Sequence, residues 1–332
     1  MKIKIKEAML EVTLKCNLRC IHCYASAGEI NVKEPSTADF IYIIDRLEEM
    51  GIKKLTFVGG EPTIRKDFYE ILQYAINKIP YVTVETNGTL ENDLHNYNCS
   101  VVVSLEDCKP EYNDAIRGKG VFEKVITTLK RLPNNKAIRC TIYSDNDPLG
   151  VAILAEKLNA NSIFIPLKPQ GRGSVLYNKV PSRKRLIKVM RDIYLFNLYS
   201  YNTHIVDYPL YYIFNKELYS KYLDVFVNRG RICPAGIYRI FIDIKGNIHP
   251  CPFLPQFNLG NILKDDLDYI YKRIFMFNVF INSTPRAGKC SSCQYQNICD
   301  GGCIAEYIDY NKKIGKNCIM EVRTNGYTTR WN

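Results

Sequence analysis

Cys16-Asn17-Leu18-Arg19-Cys20-Ile21-His22-Cys23-Tyr24 follows, after one lysine, the apolar run Ala8-Met9-Leu10-Glu11-Val12-Thr13-Leu14. Its cysteines stand at C-x3-C-x2-C. That is one ligand short of a tetrahedral zinc site or of a four-cysteine iron–sulfur cluster. Three thiolates on a [4Fe-4S] cube leave one iron open to bind something else. No second CxxC pair lies nearby to complete a zinc site, so the missing ligand reads as built in. Short motifs also arise by chance, and the rest of the chain decides between the two.

With 332 residues the chain can bury a sizeable core, as two domains or one large α/β unit. The charged, alternating start, Met1-Lys2-Ile3-Lys4-Ile5-Lys6, is unlike a signal peptide. No run approaches the ~18 apolar residues of a membrane span. Thirteen cysteines without an export signal point to metal or cluster ligation in a reducing cytoplasm rather than to disulfides. The net charge of +11 favours an acidic partner, but the Lys and Arg are scattered, as on a solvated basic surface. No nucleic-acid-binding signature accompanies them, so no nucleic-acid and no membrane partner is expected.

The first two-thirds alternate short apolar runs with amphipathic stretches, the pattern of parallel βα units. Strands are expected over 8–13, 54–58, 81–86, 101–105, 138–143 and 162–167. Ser36-Thr37-Ala38-Asp39 offers helix-capping side chains, and Phe40, Ile43, Ile44 and Leu47 follow at helical spacing. Further helices fit 68–77, 120–132, 149–158, 182–198 and 210–227. The tyrosines of the last two stretches are read as core packing. Six strands fit a barrel-like α/β sheet, with the first cysteines just past the end of its first strand. Loops at the carboxyl ends of parallel strands are where such sheets place their chemistry.

The second strand runs into Val58-Gly59-Gly60-Glu61-Pro62-Thr63, where two glycines let the backbone approach a ligand and a carboxylate follows. The cysteine motif and this segment, one βα unit apart, together closely resemble the signature of radical S-adenosylmethionine (SAM) enzymes. The resemblance implies a partial (β/α)6 TIM-like barrel whose cluster is held by Cys16, Cys20 and Cys23. It implies that the open iron chelates the methionine end of SAM and that Gly59, Gly60, Glu61 and Pro62 hold the amino group. His22 occupies the position of an aromatic residue against the adenine. Thr86, Asn87 and Ser104 would contact the ribose or carboxylate, although Asn87-Gly88 is also an ordinary turn dipeptide. Arg117, in Asn113-Asp114-Ala115-Ile116-Arg117-Gly118, would pair with a carboxylate of SAM or substrate, or form a surface salt bridge. The Gly171-Arg172-Gly173 tip resembles a loop of radical-SAM proteins that trim haem precursors and of some peptide modifiers. Arg172 there would meet a substrate carboxylate or stand solvated.

From Cys233 the character changes. Cysteines fall at 233, 251, 290, 293, 299, 303 and 318, and 240–248 reads as a β-hairpin presenting Cys251. A zinc ribbon would use closely spaced pairs, which Cys299/Cys303 and Cys233/Cys251 are not. The pattern resembles the SPASM domain, a small C-terminal cysteine-rich extension carrying auxiliary [4Fe-4S] clusters. By that resemblance Cys290, Cys293, Cys299 and Cys318 hold one cube. Cys233, Cys251 and Cys303 hold the other, with a non-cysteine fourth ligand or an open iron. The expected division is 1–205 barrel, 206–230 helical bridge and 231–325 auxiliary-cluster domain. Cys99, Cys108 and Cys140 read as small hydrophobes.

The resemblance implies reductive cleavage of SAM to methionine and a 5′-deoxyadenosyl radical, which takes hydrogen from an unactivated carbon. Auxiliary clusters then suit a net oxidation of the substrate. The expected enzyme is an oxygen-sensitive oxidoreductase or maturase acting on a ribosomally made peptide or protein. It would draw electrons from a low-potential donor such as a ferredoxin or flavodoxin. Because the barrel begins within the first dozen residues, peptide capture would fall to another protein or to the core. The alternative substrate is a haem or other acidic cofactor precursor. A different class, a non-catalytic iron–sulfur electron carrier, has no need of the Gly59-to-Pro62 loop. Glu85, Glu106 and Asp107 lie near the expected mouth without an assignable acid–base role.

Overall fold

The computed structural model describes residues 5–29, 32–91, 93–133, 135–208, 211, 233–283 and 302–309. In chain order the elements are β1 (Glu7–Glu11), α1 (Thr37–Glu49), β2 (Lys54–Val58), α2 (Phe68–Lys78), β3 (Tyr81–Thr86) and β4 (Ser100–Ser104). Next come α3 (Pro110–Arg117), α4 (Val121–Arg131), β5 (Lys136–Ile142), α5 (Pro148–Lys157), β6 (Asn161–Pro166), α6 (Arg183–Asn197) and β7 (His204–Val206). The last described elements are β8 (Arg239–Ile242), β9 (Ile248–His249), α7 (Leu267–Ser283) and α8 (Ile304–Asp309). The six expected strands are present, each within two residues of its expected ends. Local chemistry explains the helices. Ser36 caps α1 in a reciprocal box: its hydroxyl accepts from Asp39 N, and the Asp39 carboxylate accepts from Ser36 N at 2.8 Å.

All described strands join one open sheet of order β7-β6-β5-β4-β3-β2-β1-β8-β9. β1 to β8 pair in parallel, and β9 turns back antiparallel on β8. Alternation along each strand divides its side chains between two faces. Leu10, Phe57, Val84, Val103, Ile138 and Phe164 point to the buried core they share with the helices. The intervening positions, among them Glu11, Thr56, Glu85, Ser104, Arg139 and Thr141, line the opposite face. Because eight strands run the same way, the segments that leave them gather along one edge. The first cysteine set lies on that edge, just past β1.

Two features depart from the sequence expectation. β7 is a three-residue strand too short to show a pattern. The 240–248 hairpin is present as β8 and β9, but β8 also extends the barrel sheet through β1. Lys6 N and Glu7 N donate to Tyr238 O at 2.8 and 3.0 Å, and Arg239 Nε donates to Glu7 at 2.8 Å. Of the helix expected over 210–227 only Tyr211 is described, and it is buried. Cys290, Cys293, Cys299 and Cys318 lie outside the described residues.

Candidate active site

The cysteine loop that leaves β1 is held by its own carbonyls. Arg19 donates to Cys16 O at 2.8 Å and Gly28 O at 2.6 Å, and Gly28 N closes the loop onto Leu14 O at 2.7 Å. Gly28 has φ +83°, and a Cβ there would fall 2.1 Å from Arg19. Cys16 Sγ accepts from Leu18 N at 3.4 Å and faces Asn87 Nδ2 at 3.8 Å. Burial pushes the Cys16 and Cys20 thiols up, so iron binding must displace their protons.

The glycines of the second loop approach backbone rather than opening a gap. Gly60 N donates to Thr13 O at 2.7 Å and Glu61 N to Lys15 O at 2.8 Å. A Cβ on Gly60 would lie 2.1 Å from Lys15 O. Their role is to lace this loop to the cysteine loop. The Glu61 carboxylate, fully buried, turns inward. It accepts from Thr86 Oγ1 at 2.8 Å, Asn87 N at 2.7 Å and Thr63 Oγ1 at 2.7 Å. Burial raises its pKa, and these donors oppose the rise. Thr86 is thereby spent on Glu61, while Asn87 reaches Asn17 Oδ1 at 2.8 Å.

His22 Nε2 lies 3.4 Å from Glu106, which also accepts from Arg117 at 2.8 Å and from Thr141 N at 2.8 Å. Burial raises the Glu106 pKa, but His22, Arg117 and the Thr141 N–H more than offset it, leaving it lowered. Burial lowers that of His22. Arg117 is not on the surface; it is buried against Glu106. Asp107 holds Lys109 N and Asp147 N, and Glu85 pairs with Arg139 at 2.6 Å. Arg139, absent from the sequence reading, sits opposite Ser104 in the β4–β5 register. Period-two alternation along β5 would have pointed to it. Arg172 is not a free tip residue either: it donates to Cys20 O at 3.0 Å and Ala27 O at 2.9 Å, and pairs with Glu29 at 2.7 Å.

Cys233, Cys251 and Cys303 are within electrostatic reach of one another. Burial pushes the Cys251 thiol up to about 12 and that of Cys303 up to about 11. Tyr24 stands between the two sets, within reach of both Cys23 and Cys251, with its ring edge-on to Phe253 at 5.3 Å. Cys99 and Cys140 are buried in the core. Cys108 lies 4.0 Å from Asp147, and its thiol is pushed to about 11, which leaves little thiolate for chemistry.

Among the described residues no three His, Cys, Asp or Glu side chains converge tightly enough for a single metal ion. A cube of irons takes its thiolates farther apart, and the all-thiol donor sets suit it. His22 Nδ1 and Arg139 Nε are buried without a protein partner, as a bound polar ligand would require.

Comparison with known proteins agrees with this geometry. Residues 10–144 match the Radical SAM superfamily model, and residues 233–294 match the SPASM model, described as an iron-sulfur cluster-binding domain. The mycofactocin maturase MftC of Mycolicibacterium smegmatis is 30% identical over 312 residues, covering 89% of this chain and 77% of its own. The AdoMet-dependent heme synthase of Oleidesulfovibrio alaskensis is 31% identical over 318 residues, covering 89% and 81%. The structure of Streptococcus suis SuiB bound to S-adenosylmethionine shares the fold, with a TM-score of 0.74 over 93% of this chain and 75% of that one at 18% identity. The chain belongs to the radical SAM superfamily and carries a C-terminal SPASM domain. Its cofactors are accordingly [4Fe-4S] clusters and SAM. Among the described residues no helix is long and apolar enough to cross a membrane.

Proposed function

We propose that the chain is a cytoplasmic radical SAM oxidoreductase that modifies a C–H position of a ribosomally made peptide or protein, forming a crosslink, thioether or similar bond. When bound, the cluster and SAM supply a 5′-deoxyadenosyl radical able to remove hydrogen from an unactivated carbon. Cys16, Cys20 and Cys23 hold that cluster. The Cys233/Cys251/Cys303 and Cys290/Cys293/Cys299/Cys318 sets hold auxiliary clusters in a domain over 231–325, following a barrel over 1–205. A ferredoxin or flavodoxin supplies the electron.

The observation that carries this reading is the lacing of the cysteine loop to the Gly59-to-Pro62 loop, a SAM cradle for which an electron carrier has no use. On the cysteine loop His22 Nδ1, and on β5 Arg139 Nε, have hydrogen-bonding capacity to spare. Glu61, Thr86 and Asn87 position the loops, and Glu106 with Arg117 supports His22 from beneath. Loss of Arg172 as a free carboxylate partner removes the main residue-level support for a propionate-bearing substrate. That shifts the balance to a peptide, in line with the mycofactocin maturase and with SuiB, which is also known bound to the precursor peptide SuiA. A cofactor-precursor substrate remains the second reading, favoured by heme synthases at the same identity.

The test is anaerobic reconstitution with SAM and dithionite. 5′-Deoxyadenosine must form and must vanish in Cys16→Ala. A precursor peptide encoded beside the gene should then lose mass by two hydrogens, whereas conversion of a haem precursor alone would select the second reading.

A further inference from the structure

Residues 166–173 leave β6 and contact residues beside both cysteine sets, in a stretch that neither family model matches. At one end Arg172 grips the cysteine loop: its backbone N donates to Cys23 O at 3.0 Å and its side chain to Cys20 O at 3.0 Å. Gly171, with φ +55°, lies so close that a Cβ would fall 2.2 Å from Tyr24 O. At the other end Lys168 pairs with Glu306, three residues past Cys303, and lies within electrostatic reach of the Cys303 thiol. Between them Gln170 Nε2 donates to Phe253 O, two residues past Cys251, at 3.1 Å. One short segment thus contacts both sets and brings a cation to each.

Cluster potentials respond to local charge and to hydrogen bonding. A cation held beside a cluster favours the more negative, reduced state. The partner of Arg172, Glu29, is about half exposed (49%), so water screens its opposing charge. Lys168 and Glu306 are 11% and 16% exposed, so each acts on its surroundings with little screening.

We propose that residues 168–172 form an electrostatic strap. Arg172 raises the reduction potential of the cluster on Cys16, Cys20 and Cys23, and Lys168 raises that of the cluster on Cys233, Cys251 and Cys303, with Glu306 opposing it. This rests on the ligand assignment above.

The experiment is a redox titration of the reconstituted full chain, followed by electron paramagnetic resonance. Arg172→Gln shifts the SAM-responsive cluster about tenfold toward the oxidised form, about 59 mV for a one-electron couple. Arg172→Lys keeps the charge and restores most of that shift. At the auxiliary cluster Lys168→Met shifts the potential down and Glu306→Gln shifts it up, opposite signs that a loosened fold does not produce. Intact clusters with unmoved potentials overturn the strap alone, and so does equal loss of iron in all four variants. If Cys16→Ala keeps the SAM-responsive signal, or Cys303→Ala keeps every auxiliary signal, the ligand assignment falls and the strap with it.

Discussion

The two described cysteine sets are built in opposite ways. Cys16, Cys20 and Cys23 occupy one short loop whose carbonyls are held by Arg19 and Arg172 and whose flank is laced to Gly60 and Glu61. Cys233, Cys251 and Cys303 come from three distant segments, and no single loop carries them. The first is shaped by backbone hydrogen bonds before any iron arrives; the second depends on tertiary packing to meet. A contiguous loop suits a site that must keep one iron open and bind SAM in a fixed pose. A dispersed set suits a cluster that only has to be held and tuned.

The sharpest way to break this comparison is to remove one thiol from each set. Cys16→Ala should abolish 5′-deoxyadenosine formation and lower iron from about twelve to about eight atoms per chain. Cys303→Ala should also lose iron yet still cleave SAM with dithionite, failing only at product formation. If Cys303→Ala abolishes SAM cleavage as well, the two sets are not separable in function.

Glu61 tests whether the first site is held by its scaffold. Glu61→Ala leaves the Thr86 hydroxyl and the Asn87 N–H buried without acceptors, at a cost of about 3–5 kcal/mol. Urea unfolding of the wild type and the variant measures it. A loss below about 1 kcal/mol would mean that water replaces the carboxylate and that the loop is not anchored there.

Gly60→Ala probes the lacing itself. Its Cβ would meet a backbone oxygen at 2.1 Å, which no side-chain rotation relieves, and a cost of about 3 kcal/mol is expected together with weaker SAM binding. Gly120→Ala is the control: a Cβ there meets nothing within 4 Å, so only its φ of +76° is penalised, at about 1 kcal/mol. Equal costs at the two positions would leave the close approach at Gly60 without consequence.

The same contrast explains what could be read from the residues. The strands and the capping box of α1 were legible because they are local: alternation, helical spacing and a serine three residues before an aspartate. The first cysteine loop was legible for the same reason. The fate of individual polar side chains was not. Arg117 and Arg172 looked available for a ligand; Arg117 is taken by Glu106, in the loop just before its own helix, and Arg172 by the cysteine loop, far along the chain. Nor does the hairpin at 240–248 announce that β8 completes the barrel edge, because parallel pairing with β1 spans more than 200 residues and depends on Arg239 meeting Glu7. Long-range pairing leaves no local pattern.

Glu11 joins the two regions and makes the comparison depend on pH. It lies near the end of β1, and its carboxylate accepts from Ile244 N at 3.0 Å, in the turn that leads to Cys251. Burial raises its pKa to about 7; the Ile244 N–H and His249 oppose the rise, while Asp243 and Glu34 add to it. The unfolded chain loses this proton near 4.5 and the folded chain holds it to about 7, so the folded state binds more protons throughout that window. Stability therefore falls as pH rises from about 4.5 to about 7 and levels above it, by at most about 3 kcal/mol. Glu11→Gln keeps an acceptor for Ile244 N but cannot ionise. It should flatten this contribution, so that the variant gains on the wild type between urea titrations at about pH 5 and about pH 7.5. Parallel stability profiles for the two proteins would mean that Glu11 ionises as freely as in water, and that the junction between the barrel and the auxiliary cysteines is wetter than its burial implies.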